Sequence, residues 1–546
     1  MSDPIAELQG VTLGEALRRS ARRYPGLEFI QSDEGPWTFA AFDEATDRLA
    51  SAFLDRGIAS GDHVAVWLGN SPEWALTLCA CARIGAVLVP INTRYTASEA
   101  HYILAHSDAK LLVLCRRLWG KDFLAMLDEV APAAAPEQTA WVSRPSLPHL
   151  RTLVFAGNDA PSGSLRFHDL LTASLSPDLA RVAGGVVAAQ PMLICYTSGT
   201  TGKPKGAMHN HVVIKQATRV GLRCGLGPGG RVLGHMPLYH VAGLYMGLVP
   251  ALTLGACFVV MPQWDAGQAL ELIERERISM FGGIPTHFVD LVEHPSVASR
   301  DLTSLQIAWI GGSPVMRATY DHFRTTLGLT HLLSTYGMTE NTISTTFNRP
   351  SDPPAVCCEN RAPLLGECEL RVVDPATGEP LPAGSVGEVW CRGETVMMGY
   401  YKNPQATAEA ITGDGWLRTG DLGRLDGDGY LALTGRLKEM YKSGGTNVYP
   451  AEVEQQLTRL PGVRLAAVVA VPDARMGEVG FAFIEPSAPG AVDETELRAL
   501  CKRNLAQYKI PRHFAILAEI PRTSTGKLAK ADLAAMARTM VSAKAP

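Results

Sequence analysis

Several familiar signatures are missing from this sequence, and each absence narrows what the protein can be. Charged residues make up only 19% of the 546, and the formal net charge is −4, which argues against a dedicated nucleic-acid binder. The 11 cysteines follow no disulfide-like spacing, and neither Cys79-Ala-Cys81 nor Cys357-Cys358 makes a zinc pattern. Reduced thiols in a cytoplasmic enzyme are therefore the expectation. His209, His211, His235 and His240 lack helical metal-ligand spacing, so no zinc site follows. No Gly-x-Ser-x-Gly elbow occurs, which removes the usual ground for an α/β-hydrolase. Met1-Ser-Asp-Pro lacks the basic-then-apolar layout of a secretory leader, and no fixed-period repeat is visible. One uncharged run, Val241 to Trp264, is long enough to span a bilayer. It carries Pro250, Gly255 and a β-like tail, Ala256 to Met261, so a buried helix followed by a strand is the better reading. The expectation is a soluble, cytoplasmic protein with no transmembrane segment and no nucleic-acid partner.

What is present points to a multidomain globular enzyme. The length calls for at least two domains, and 46% hydrophobic residues can supply their cores. From Lys438 onward, 15 Lys and Arg stand against 11 Asp and Glu, a mildly basic end on an acidic body. Residues 11–130 alternate between patterns: strands at Val64–Leu68, Ala86–Pro90 and Lys110–Cys115, a helix at 72–84, and a capping box, Thr96-Ala-Ser-Glu99, opening another helix to about His106. Units of this length imply parallel sheets covered by helices. Residues 131–190, rich in Ala, Pro and Ser, read as loops apart from 150–156. From about Gly366, short strands at Glu369–Val373, Gly387–Cys391 and Tyr430–Thr434 suggest a smaller β-rich subdomain. A compact unit with its own helices and strands follows Arg436. The fold class is α/β (α+β overall): a large N-terminal domain, 1–437, of helix-covered sheets plus a β-rich subdomain, and a small mobile C-terminal α+β domain, 438–546.

The chain is organised around Tyr196-Thr-Ser-Gly199-Thr-Thr-Gly202-Lys203-Pro-Lys205-Gly206. The apolar run Met192 to Tyr196 leads in as a buried strand, and Met208 to Val220 can follow as a helix. Such a loop wraps backbone N–H groups and hydroxyls round a phosphate, while Lys203 and Lys205 add positive charge. Only two residues separate Gly199 from Gly202-Lys203, so it is not the common P-loop. A flexible linker rarely follows a buried strand or packs so many hydroxyls and lysines together. Downstream, Tyr336-Gly-Met-Thr339-Glu340 sets an aromatic, a hydroxyl and a carboxylate beyond a strand, and Glu340 is the best magnesium-ligand candidate, although an exposed glutamate is the commoner meaning of such a residue. Gly311-Gly-Ser313-Pro314 could let a flat base lie on backbone. Asp421 could grip ribose hydroxyls, and Thr523-Ser-Thr525-Gly526-Lys527 presents one lysine on a glycine-hinged loop. Gly225–Gly230, which fits a dinucleotide fingerprint formally, reads as a loop because it follows a helix and contains Pro228. Asp426-Gly-Asp428-Gly429 reads as a hairpin turn rather than a calcium loop.

Taken in order, the segments Tyr196–Gly206, Pro237–His240, Tyr336–Glu340, Trp416–Leu422, Gly435–Lys438, Gly444–Pro450 and Pro521–Lys527 resemble the adenylate-forming acyl-CoA synthetases, the superfamily that also holds luciferase and nonribosomal adenylation domains. The resemblance implies a two-step reaction with ATP, Mg²⁺ and coenzyme A: a carboxylate attacks the α-phosphorus to give an acyl-adenylate and pyrophosphate, then the thiol of coenzyme A displaces AMP. It implies that Thr197, Ser198, Gly199, Thr200, Thr201, Gly202 and Lys203 hold phosphates, and that Gly312, Ser313, Pro314, Tyr336, Gly337, Met338 and Thr339 border the nucleotide. By the same resemblance Asp421 and Arg436 hold the ribose, Glu340 takes the metal, and Lys527, Thr197 and His240 join Glu340 in catalysis. The resemblance also implies that Lys438 is a hinge exchanging Lys527 for Gly444 and Gly445, which would line a pantetheine tunnel. The resemblance places the acid pocket at His240, Val241, Gly243, Gly282, Gly283, Gly311 and Tyr336. These are small or apolar, and Tyr239-His-Val-Ala-Gly243 offers no aspartate to meet an ammonium group. The expected partner is therefore a small hydrophobic monocarboxylic acid, medium-chain, alicyclic or aryl, with self-association as a homodimer left open. Transfer of the acyl group to a carrier protein, or γ-phosphate cleavage by an ATPase or kinase, are the competing readings.

Overall fold

The computed structural model describes residues 3–133, 143–157, 159–162, 164–197, 203–312, 315, 317–444, 446–522 and 528–544. Two eight-stranded sheets dominate. In one, the strands run in the order Thr346–Phe347, His331–Tyr336, Ile307–Gly311, Met280–Gly283, Arg231–Gly234, Cys257–Val260, Glu28–Ser32 and Gly35–Thr38. In the other the order is Gly399–Tyr400, Lys205–Asn210, Pro191–Thr197, Val87–Pro90, His63–Trp67, Leu111–Cys115, Thr152–Ala156 and Leu165–Arg166. The central pairings of both are parallel, as the near-continuous apolar runs require when both faces of a strand are covered.

The largest core fills the space between the sheets. Val64, Val66 and Leu88 from one and Phe258, Trp309 and Leu333 from the other pack on helices Leu13–Arg23, Phe39–Asp55, Pro72–Ile84 and Ile214–Arg223. The first three of these helices begin at Thr12, Thr38 and Ser71, whose side chains accept the backbone N–H three residues on. Further helices cover both outer faces, giving two smaller cores. The uncharged run becomes helical from Val241 to Leu254, with a π-helical turn at Leu244–Leu248, and then strand Cys257–Val260. No helix among the described residues is long and apolar enough to cross a membrane.

A five-stranded antiparallel sheet follows, in the order Arg361–Pro363, Tyr430–Arg436, Leu417–Leu425, Gly387–Gly393 and Cys368–Val373. Its nine-residue strand Leu417–Leu425 was expected only as an acid-bearing segment. Arg418, Asp421 and Arg424 break the apolar pattern, and the strand forms because it is paired on both edges. Beyond it, strands Tyr441–Ser443, Thr446–Val448, Val463–Asp473, Gly477–Pro486 and His513–Ile516 form a sheet with two cores built from residues 441–541. Lys530 Nζ sits 2.5 Å from Glu439 Oε2 and 2.9 Å from Glu454 Oε1, joining helix Lys530–Lys544 to the segment after Arg436.

One local expectation is corrected. The residues from Met208 onward do not begin a helix: Lys205–Asn210 is a strand, antiparallel to Pro191–Thr197, and the helix waits until Ile214. Gly206 permits the pairing, because a Cβ there would approach Ile194 Cγ2 to 2.6 Å. Asn210 ends the strand by accepting the Val212 N–H at 3.1 Å.

Candidate active site

The hairpin holds both stems of the candidate phosphate loop. Tyr196 pairs with Gly206 and Thr197 with Lys205, while Ser198, Gly199, Thr200, Thr201 and Gly202 lie outside the described residues. Helix Ala97–His106 grips both stems: the Tyr102 hydroxyl donates to Pro204 O at 3.3 Å, and His106 Nδ1 lies 2.8 Å from the Tyr196 hydroxyl. Lys203 and Lys205 set their ammonium groups over Tyr102 and Tyr400, 5.5 and 5.2 Å from the ring centroids, which keeps both cations near the loop, and among the described residues neither pairs with a carboxylate.

The two large sheets meet at Glu340. Strand His331–Tyr336 runs out through Gly337, where a Cβ would strike the Ile343 carbonyl, into a turn at Thr339–Asn341. Glu340, 8% exposed, receives the Thr197 hydroxyl at 3.4 Å and the Tyr400 hydroxyl at 2.9 Å, both on Oε1. Its Oε2 takes no hydrogen bond from a described residue. One oxygen anchored and the other without a described partner, on a carboxylate beside Thr197, is a donor suited to Mg²⁺, which needs only one or two protein carboxylates. Burial, and then the charge of Glu340, hold the Tyr400 phenol well above its ordinary pKa, so it stays a donor to that carboxylate. The turn is strained: Thr342 has φ +74° and Ile343 φ +145°, values rare for β-branched residues and maintained only by surrounding contacts.

Tyr336, Asp421 and Arg436 form one cluster. The Tyr336 hydroxyl donates to Asp421 Oδ2 at 2.8 Å, and Arg436 Nε lies 3.0 Å from Asp421 Oδ1. Tyr336 and Asp421 are buried, whereas the Arg436 side chain is 58% exposed. A buried carboxylate oriented by a phenol and a guanidinium is the kind of acceptor that ribose hydroxyls need. Burial and the Asp421 charge push the Tyr336 phenol well up. Gly312 closes the neighbouring strand with φ +89°; Ser313 and Pro314 lie outside the described residues, as do Gly445 and Lys527. Gly444, at φ +60°, donates its N–H to Met476 O at 2.8 Å.

The acid-pocket candidates separate into two groups. Gly243 and Gly282 line an apolar cleft together with Gly234, Gly247, Met246 and Trp309, none of which was singled out from the sequence as a pocket residue. Its free volume is about 10 Å³, room for about one water. A side chain on Gly282 would run into the Trp309 indole, and one on Gly243 into the Met236 and Pro237 carbonyls. Gly283 faces the other way, toward His287 and His235, Gly311 faces Thr335, and His240 and Val241 do not line the cleft. His240 packs beside Tyr239, with ring centroids 5.0 Å apart. Trp309 stands just before Gly311-Gly-Ser313-Pro314; an aromatic two residues before a Gly-Gly pair was the available signal. Tyr400 had none beyond its place after Gly399.

Comparison with known proteins adds to this geometry. The model of the AMP-binding enzyme family matches residues 17–401, and that of the AMP-binding enzyme C-terminal domain matches residues 452–527. A 3-(7a-methyl-1,5-dioxo-octahydro-1H-inden-4-yl)propanoyl:CoA ligase of Rhodococcus jostii (strain RHA1) is 35% identical over 531 residues, covering 96% of this chain and 98% of the relative. The mitochondrial medium-chain acyl-CoA ligase ACSF2 of Danio rerio is 33% identical over 537 residues, 96% of this chain and 88% of the relative. Among solved structures, the anthranilate CoA ligase AuaEII in complex with anthranoyl-AMP superimposes with a TM-score of 0.83 at 25% identity, covering 98% of each chain.

Proposed function

This chain belongs to the AMP-binding enzyme family as an AMP-forming acid:CoA ligase that uses ATP, and from that premise we propose that its acid is a hydrophobic monocarboxylate, medium-chain, alicyclic or aryl. The observation that carries this choice is the cleft, whose lining contains no charged side chain: glycines, Met236, Met246, Phe258 and Trp309 form its walls. Such walls reward apolar area and penalise an ammonium or second carboxylate left without a partner. The relatives' names, a bicyclic propanoyl and a medium-chain acyl ligase, fit the same class.

An ionised carboxylate needs no general base. The enzyme's task in the first half-reaction is to screen charge as two anions meet and pyrophosphate departs. We assign this to the loop Thr197–Lys203, to Lys205 and to Lys527. Magnesium held by Glu340 would neutralise phosphate oxygens there. Tyr336, Asp421 and Arg436 orient the nucleoside so that the α-phosphorus faces the mouth of the cleft. The adenylate is itself the activated species, so no enzyme nucleophile is required. Departure of pyrophosphate and entry of a thiol make opposing demands on one cavity. The small domain, residues 438–546, therefore turns about Lys438, withdraws Lys527 and brings Gly444 and Gly445 to the pantetheine of coenzyme A. The 11 free cysteines, 10 of them buried, suit a reducing compartment, and the cytoplasm is the assigned location.

A pyrophosphate-release screen over short, medium, long, aryl and alicyclic acids, with thioester detected by mass, tests the reading. Thioester and AMP from an apolar monocarboxylate are expected. Adenylate without thioester would point to a carrier-protein acceptor, and ADP or inorganic phosphate as the nucleotide product would overturn the assignment.

A further inference from the structure

The strained turn that carries Glu340 has a support that no motif records. His209 lies on Lys205–Asn210, the exit strand of the phosphate loop, and is 1% exposed. Its Nε2 is 2.8 Å from the Thr339 carbonyl, and its Nδ1 is 3.1 Å from the Tyr245 hydroxyl. A carbonyl can only accept, so Nε2 carries the proton and donates; Nδ1 is then a lone pair that accepts the Tyr245 O–H. The hydroxyl thereby fixes the one tautomer able to hold Thr339. Tyr245 is fully buried on the π-helical turn Leu244–Leu248, whose Met246 and Gly247 wall the acid cleft. Met246 meets the far side of the same loop, with the Ser344 hydroxyl 4.0 Å from its sulfur. The peptide that His209 grips is the one directly before Glu340. With Thr342 and Ile343 at positive φ two and three residues beyond Glu340, the carboxylate's place depends on such grips rather than on local preference.

Resting on the reading of Glu340 as a magnesium ligand, we propose that Tyr245 and His209 act as a positioning pair that sets the Glu340 carboxylate for the metal by anchoring the Thr339 carbonyl to the phosphate-loop strand. Neither residue touches the reacting atoms; both act through the turn.

The test is Mn²⁺ affinity, read by electron paramagnetic resonance on the full-length protein with α,β-methylene ATP. AMP affinity measured in chelator serves as the metal-free reference. His209→Leu is expected to weaken Mn²⁺ binding roughly tenfold, the lower edge for residues standing behind a metal ligand. His209→Gln keeps an N–H for the same carbonyl and should stay within about threefold of the parent. Tyr245→Phe should fall between these and alone carries the test if the leucine variant does not fold. AMP affinity should hold in all of them. Parent-like Mn²⁺ affinity in His209→Leu or Tyr245→Phe overturns the proposal, as does parallel loss of AMP and Mn²⁺, which would mark a merely structural role. Glu340→Gln separates the two levels. If it leaves Mn²⁺ affinity unchanged, the metal reading falls and the relay with it; if it abolishes binding while His209→Leu does not weaken it, the relay alone is wrong.

Discussion

Gly282→Ala is the sharpest probe of the acid cleft. Gly282 lies on a strand paired with Ile307–Gly311, and the ideal Cβ would overlap Cε2, Nε1 and Cδ2 of Trp309, far inside the 3.4 Å at which ordinary contact begins. The backbone is held between parallel neighbours, so the indole must move, and the space beside it amounts to about 10 Å³. Overpacking of this kind costs about 1–3 kcal/mol of stability. The displaced ring also stands where the cleft has to widen to admit the acid's far end. If it excludes two or three methylenes at about 0.8 kcal/mol each, octanoate loses about 2 kcal/mol of binding in the transition state, roughly a 30-fold fall in kcat/KM. Butanoate, which does not reach the ring, should change little. Pyrophosphate release with both acids gives the ratio, and urea denaturation gives the stability. Trp309→Leu in the same chain should recover both losses, a coupling of about 0.5–3 kcal/mol between touching residues. An unchanged octanoate-to-butanoate ratio in Gly282→Ala, or losses that simply add in the double variant, would refute the cleft as the acid's seat.

The other expectations concern charge and motion. Lys527→Ala should cripple acyl-adenylate formation while sparing thioester formation from supplied acyl-adenylate; equal loss of both would remove the division of labour assigned to that lysine. Lys438→Pro should restrict the backbone at the junction and slow mainly the thioester step, which single-turnover assays of each half-reaction can separate. Tyr336→Phe deletes the hydroxyl that Asp421 accepts at 2.8 Å and should cost about 1.5–3 kcal/mol, seen in denaturant titration together with weaker AMP binding by calorimetry; unaltered AMP affinity would detach the cluster from the nucleotide. Burial lowers His211 from its ordinary range to about 4. The unfolded chain therefore takes up this proton first as pH falls from about 6.5 to about 4, and stability present above that window drains away within it. In His211→Asn, whose side-chain oxygen can accept the Leu13 N–H as His211 Nδ1 does at 3.2 Å, the slope of stability against pH should shrink by up to about 1.4 kcal/mol per pH unit. An identical slope would assign the acid sensitivity elsewhere.

Which parts of the site could be read in advance follows from how far each demand reaches along the chain. Thr197–Gly206 could be singled out as a phosphate-loop candidate because such a loop imposes local needs, glycine for approach and hydroxyls for donors, on adjacent residues. The capping box at Thr96–Glu99 forms as its spacing predicts, both reciprocal hydrogen bonds included. Tyr336, Asp421 and Arg436 could each be named by type, but their union depends on a hydrogen bond across 85 positions, and spacing says nothing of contacts at that range. Tyr400 reaches Glu340 across 60 positions and Thr339 meets His209 across 130; each supporting side chain sits in an ordinary strand whose pattern would read the same without it. Strand Leu417–Leu425 hid for a related reason, since Arg418, Asp421 and Arg424, of which Asp421 serves the cluster, erase the alternation that would announce it. The groups assigned to the substrate thus occupy short stretches with strong local rules, while those that hold them in place are scattered singly. A motif can survive intact in a chain whose carboxylate has lost its support. Metal affinity in variants of His209 and Tyr245 therefore discriminates a working site from a retained motif better than the presence of Glu340 does.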